Sequence, residues 1–542
     1  MFIQPCAAVN TCSEFIKNAD EAGAKLKHLS FLRLASAEHA DLVVTPEYSC
    51  PWAVVEDAIQ GGVLPDEGAL WVLGCESITV DELRALMGRL TSIKWICEDI
   101  PPWAGGKFLD PVCYLFHAND KEGASHLVCV VQFKGEPMSA SATLIEQEEM
   151  IRGDKRYVLR NDNDSIHLTT LICSDALAFG EIQIDELPPS NFHPYLILHP
   201  QLNTGPLHPT FALYRKIAYG KGGEHREVIC VNWAKGFRIK GKPSSLFGGS
   251  ALYTKSQKLE LGDGRLDSNH RKGLYYSKFH PHRAHVYFFN YNEHVFFLRT
   301  TKPSLKDAVP LSQSRSGPKM ESVYSWNPTS KAWEEVVEAD DGFNALCEAN
   351  FKSDLSPLSN GSMSPANKER LLALSAGRIE GGEEWHTPEM LASYRVGEDE
   401  VMQRGVVVQD PCPEAMQKRL RRLARFRDLR NTIILNVGNF PRPIQDLAGD
   451  CEISYPDAGG EYHYNLWKKD RSRNATVAFV GISTFPDAKR SFDKIYEAVP
   501  LKAKSRVIVW YIEELQVRSI SDDASHIAHD VAADPRSIWK EK

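Results

Sequence analysis

Three short stretches each carry a chemically useful side chain at the end of an apolar run. In Asp41-Leu42-Val43-Val44-Thr45-Pro46-Glu47-Tyr48 the run ends in Pro46 and a carboxylate, where the chain must turn. His126-Leu127-Val128-Cys129-Val130-Val131-Gln132-Phe133-Lys134 ends in a cation, and Leu168-Thr169-Thr170-Leu171-Ile172-Cys173-Ser174-Asp175 ends in a thiol and a polar pair. Runs of this kind read as buried strands rising to turns, and strand ends are where open α/β sheets collect their chemistry. A thiol becomes a nucleophile when a base takes its proton and a nearby cation steadies the charge that forms. Glu47 would be that base, Cys173 the nucleophile, and Lys134 the holder of the developing oxyanion. Each residue alone has an ordinary explanation, a core cysteine or a solvated strand end. The ordered set of three is what carries the reading.

Together the three stretches resemble the Glu-Lys-Cys motifs of the carbon–nitrogen hydrolase (nitrilase-like) superfamily, over roughly residues 1–300. Val43-Val44-Thr45-Pro46-Glu47 is similar to that family's strand leading to Pro-Glu, and Leu171-Ile172-Cys173-Ser174-Asp175 to its nucleophile motif. Leu144-Ile145-Glu146, followed by Arg152-Gly153-Asp154, looks like the segment bearing the family's second glutamate. The resemblance implies that Glu146 positions Lys134 and the substrate, with Glu148 and Glu149 as competing assignments. Tyr195 to Pro200 and Val228 to Trp233 resemble further core strands, and Ser245 to Ser250 a turn before a late hairpin. Gly135-Glu136-Pro137 after Lys134 departs from the family pattern, which bears on the pocket. The resemblance implies an αββα sandwich and hydrolysis of a non-peptide C–N bond, in an amide, carbamoyl or nitrile group, through a cysteine thioester. It also implies at least a homodimer. No cofactor or metal is expected. The rival reading is a hydrolase-like scaffold whose carboxy-terminal domain binds a protein or nucleic acid.

The sequence has 542 residues, 43% hydrophobic and 25% charged, and a net charge of -8. That length suggests two or three domains, and the charge offers no general attraction to nucleic acid or anionic membrane. Apolar runs stay short of the roughly 18 to 20 residues that span a bilayer, and residues 1–12 lack the pattern of a signal peptide. The 12 cysteines show neither Cys-x-x-Cys pairs nor metal-ligand spacing, which fits reduced thiols in the cytoplasm.

The elements that must position the three residues follow in chain order. Ser13 to Ala40 reads as a helix capped by Ser13, and Ala69 to Ser77 as a strand. Asp81 to Leu90 reads as a helix, Ile93 to Cys97 as a strand, and Val112 to Phe116 with Leu127 to Phe133 as paired strands. Phe211 to Gly223 reads as a helix. Residues 301–367 read as an extension and linker, loosest at Ser353 to Asn367. Residues 368–542 read as a separate, smaller α/β domain without a Walker loop or a Ser-Gly-Gly pyrophosphate motif, and so unlike glutaminase-fused NAD synthetases. Within it, Ala415 to Arg430 reads as a basic amphipathic helix, and a solvated face is the expectation for its seven cations.

Overall fold

The computed structural model describes residues 1–100, 106–138, 144–160, 167–178, 195–203, 226–239, 242–243, 248–255, 275–279, 284–301, 316–337, 342–356, 358–359, 363–391, 393–394, 405–406, 413–455 and 461–522. The fold is mixed α/β, in two compact units. The first takes in Met1–Glu260, His270–Ala339 and Tyr394–Asp399, and the second Leu261–Asn269, Asp340–Ser393 and Glu400–Lys542.

Two large sheets form the first unit. A nine-stranded sheet runs, from one edge, Ala332–Glu335, Ser316–Asn327, His294–Thr301, Phe2–Gln4, Leu42–Val44, Leu70–Gly74, Pro111–Asn119, Ser125–Phe133 and Lys94–Cys97. Helices Glu21–Ala37, Trp52–Gln60 and Val80–Arg89 supply Phe31, Leu32, Val54, Val55, Leu83 and Leu86 to one core. Facing them from the sheet are Val43, Trp71, Leu73, Cys113, Leu115, Cys129 and Val131, every second residue of their strands. An eight-stranded sheet contains Val158–Arg160, His167–Thr170, Tyr195–Pro200, Arg226–Val231 and Ala251–Lys255 in that spatial order. The two sheets touch at several points. The Gln132 amide donates to the Thr170 carbonyl at 3.0 Å, and the rings of Phe2 and Phe289 pack edge to face at 4.8 Å.

The amino-terminal region departs from expectation. Ala8–Thr11 and Ile16–Asn18 form a hairpin, and the helix begins only at Glu21, capped by Asp20, whose Oδ1 accepts from the Gly23 N–H at 2.9 Å. The hairpin also pairs with Arg238–Ile239, a partner no local pattern reveals. The expected helix Phe211 to Gly223 lies outside the described residues.

The stretch 301–367 also divides differently from the expectation. Ser316–Asn327 and Ala332–Glu335 extend the nine-stranded sheet, while Gly342–Phe351 is a helix of the second unit. Leu355 and Leu358 are fully buried, and Ser364 caps the helix Pro365–Ser375 by accepting from the Asn367 N–H. Ser-Pro here opens a helix, because Pro at the first position gives up an N–H that would be unpaired anyway.

The second unit is built on a five-stranded sheet in which Asn474–Ile482 and Val507–Glu513 run parallel. The helix Phe485–Ala498 joins them and buries Ala488, Phe492 and Ile495. The basic segment forms the helix Pro413–Asp428, continued through Leu429–Ile434. Its cations are not all solvated: Arg419 is buried, and Arg422 senses Glu369 of the helix Pro365–Ser375. Among the described residues no helix is long and apolar enough to cross a membrane.

Leu358→Ala should therefore cost about 2–5 kcal/mol in a denaturant titration, as expected for a buried leucine. Leu435→Ala, at a position 70% exposed, should change stability by about 0.5 kcal/mol or less.

Candidate active site

Glu47, Lys134 and Cys173 come together at the seam between the two sheets. Leu42–Val44 ends in the turn that carries Glu47, and that turn lies directly on Gly74, where a Cβ would stand 2.2 Å from the Pro46 oxygen. Only glycine permits this approach. Thr45 and Ser49 hold the turn, Thr45 Oγ1 accepting from the Gly74 N–H and Ser49 Oγ donating to the Pro46 carbonyl. The Glu47 carbonyl accepts from Trp233 Nε1 at 2.9 Å.

Lys134 follows Ser125–Phe133 and is fully buried. Its ammonium donates to Glu47 Oε1 and to Glu146 Oε2, each at 2.7 Å, and lies 3.4 Å from Asp110 Oδ2. Glu146 also accepts from the Met138 N–H at 2.8 Å and from the Tyr48 hydroxyl at 3.2 Å. Of the three glutamates weighed for this position, Glu146 is the one at the lysine, while Glu149 pairs with Lys107. The remaining oxygen of Glu47 accepts from the Leu202 N–H at 2.7 Å.

Cys173 follows His167–Thr170 with φ +42°, a strained value for a residue with a side chain. Its N–H donates to the Pro200 carbonyl at 3.0 Å. Its own carbonyl accepts from His199 Nε2 at 2.8 Å, while His199 Nδ1 accepts from the Gln201 amide at 2.7 Å. Gln201 in turn accepts from Asn203. Asp175 ties this turn to the lysine's: its Oδ1 accepts from the N–H groups of Gly135 and Glu136, both at 2.9 Å, and its Oδ2 from Ile172 at 3.2 Å. The departure Gly135-Glu136-Pro137 thus has a task, supplying two donors to Asp175.

Electrostatics follow from burying several ionisable groups together. Burial pushes the Cys173 thiol well above its ordinary 9.0, and Glu47 pushes the same way while Lys134 opposes. Burial likewise raises Glu47 against the pull of Lys134. For Lys134 burial alone would lower the pKa, but Glu146 and Glu47 hold it well above 10.5. The upward shift favours a protonated resting thiol, with Glu47 at hand to take its proton. Oxygens of Glu47, Asp110 and Glu146 lie within 4.8 Å of one another, a grouping able to hold a cation, and the Lys134 ammonium is the cation among them.

Sequence reasoning missed Asp110, Tyr48, Asp175 and His199 as parts of the site. For Asp110 a signal existed: an acid before Pro111, opening the strand that pairs with the one ending in Lys134.

No protein-family model matches the chain, and no curated protein does. Among solved structures the chain is similar to a CN-hydrolase superfamily protein from Xanthomonas campestris that carries an arsenic adduct in its active site. That likeness has 13% identity, a TM-score of 0.26, and covers 48% of this chain and 84% of the other. It is also similar to a glutamine-dependent NAD(+) synthetase from Cytophaga hutchinsonii, at 10% identity and a TM-score of 0.26, covering 98% of this chain and 67% of that one. Likeness this loose carries no argument for activity. The residues must carry it.

Two outcomes follow from the charge arrangement. Lys134→Met leaves buried carboxylates without their cation and should cost about 3–5 kcal/mol at pH 8. Without Lys134, which opposes the upward shift of Glu47, the folded-state pKa of Glu47 rises further, so stability falls as pH rises. Urea midpoints should show the deficit shrinking toward acid pH. In the wild type, Cys173 alkylation should keep accelerating through pH 9, and a plateau below pH 8 would mean a resting thiolate.

Proposed function

We propose that the first unit is a carbon–nitrogen hydrolase of the nitrilase-like superfamily, an αββα sandwich that cleaves a non-peptide C–N bond through a thioester on Cys173. The observation that supports this most is the lysine ammonium held at 2.7 Å from both Glu47 and Glu146. Glu47 and Lys134 also lie close enough to Cys173 for their charges to act on its thiol, which burial chiefly shifts upward.

With an amide bound, Cys173 Sγ attacks the carbonyl carbon as Glu47 takes the thiol proton. The developing oxyanion meets Lys134 and the backbone N–H of Ser174 in the turn after the nucleophile. Such a donor contributes about 3–4 kcal/mol to the acyl-transfer barrier. Collapse breaks the C–N bond, and Glu47 hands its proton to the departing nitrogen. Water then enters and Glu47 takes one of its protons. The thioester breaks, releasing a carboxylic acid and regenerating the Cys173 thiol. The raised pKa of Glu47 suits a group that must both take and give a proton. The thioester route is useful because sulfur is a better nucleophile than water near neutral pH.

The same reading expects at least a homodimer, checked by light scattering, and a reduced cytoplasmic setting. The described cysteines are all unbridged. The second unit is assigned no chemistry.

Mass spectrometry after quenching with a panel of amides and nitriles should find an acyl adduct on Cys173. Cys173→Ala should abolish turnover while the fold is kept. Cys129→Ala should cost stability only, through a small cavity. Turnover persisting in purified Cys173→Ala would overturn the assignment.

A further inference from the structure

Asp110 sits at the centre of the site, directly before the strand Pro111–Asn119. It is fully buried, and among the described residues neither Oδ1 nor Oδ2 receives a hydrogen bond. Lys134 Nζ, at 3.4 Å, is engaged more closely by two other carboxylates. The groups that face Asp110 are Glu47 and Tyr48 from the turn after Leu42–Val44, Lys134 from the end of Ser125–Phe133, and Glu146 from the helix Leu144–Glu149. The Tyr48 hydroxyl donates to Glu146 at 3.2 Å and is close enough to Asp110 to interact with it as well.

Counting charges decides the state of this group. Glu146 has three donors and Glu47 two, the arrangement of ionised carboxylates. An ionised Asp110 would add a third anion beside one ammonium, with only the distant Lys134 at 3.4 Å and a Tyr48 hydroxyl shared with Glu146 to meet it. Burying such a group costs several kcal/mol, and it takes up a proton instead.

We infer that Asp110 is kept as a neutral carboxylic acid which donates a hydrogen bond to Glu47. Burial and Glu47 both push its pKa well above 3.8, against Lys134. The inference rests on the proposed function only for its consequence. As an acid, Asp110 steadies the base without competing for the lysine. The third N–H of Lys134 is then left for the oxyanion, since an ammonium has three donors. Asp110 is thus a positioning residue, acting through Glu47 and Lys134.

Infrared difference spectroscopy of the full chain, without substrate, tests this. At pH 8 the wild type should show the carbonyl stretch of a protonated carboxyl, shifted by ¹³C-carboxyl aspartate labelling and absent in Asp110→Asn. The melting-temperature difference, Asp110→Asn minus wild type, should grow as pH rises above 3.8, because the wild type loses stability as its unfolded Asp110 ionises. Absence of a label-sensitive carboxyl band in the wild type would overturn the inference, a measurement that needs no variant to fold. A melting-temperature difference that shrinks with rising pH would overturn it too, since that is the behaviour of a paired native anion. Either result would leave the Cys173 adduct experiment untouched, so a failure here is separable from a failure of the hydrolase reading.

Discussion

The site depends on one buried cation. Lys134 has no exposed surface, and an ammonium can be held there only if anions and dipoles replace the water it has lost. Glu47 and Glu146 do this at hydrogen-bond distance, from elements far apart in sequence. Each partner restrains the others: the lysine fixes both glutamates, Met138 and Tyr48 fix Glu146, and Leu202 fixes Glu47. A buried ion pair is poor evidence for net stability, but removing one member is costly, so the group stands or falls together. Glu47 and Lys134 leave strands of the nine-stranded sheet, while Leu202, which holds Glu47, follows Tyr195–Pro200 of the eight-stranded one.

Around the charges lies a backbone scaffold that sets angles. Cys173 is held at a positive φ by bonds at both its amide and its carbonyl, through Pro200 and His199. Asp175 binds the turn after the nucleophile to the turn after the lysine. Strain of this kind persists only where surrounding contacts over-determine it. The polar series His199, Gln201 and Asn203 lies at alternate positions of one chain exit, so a single extended segment can direct all three inward.

Glu47, Lys134 and Cys173 were legible because each follows an apolar run whose period is visible locally, whereas Glu146 was reached only through the family resemblance, with Glu148 and Glu149 as rivals. Asp110 had a weaker signal, an acid before proline that also reads as turn chemistry, and its meaning lies in neighbours distant in the sequence. The same limit explains 301–367. Ser364 and Pro365 look like a linker until Leu355 and Leu358 are found in a core shared with Phe426 and Trp510. Arg419 and Arg422 read as solvated for want of any local sign of the helix that covers them. In the amino-terminal region the hairpin of Ala8–Thr11 was hidden by a partner strand at Arg238–Ile239.

The pairing of Phe2–Gln4 with His294–Thr301 has a consequence for how the protein comes into being. The first strand waits for a neighbour roughly three hundred residues downstream. At roughly 5–20 residues per second of synthesis, that interval is on the order of 15–60 s. During that time Leu42–Val44 is the only neighbour in the sheet available to Phe2–Gln4, and Phe2 lacks the aromatic rings of Phe289 and Phe296. The nascent chain therefore carries an unzipped sheet edge on the ribosome, and that edge is the surface a holding chaperone would meet first.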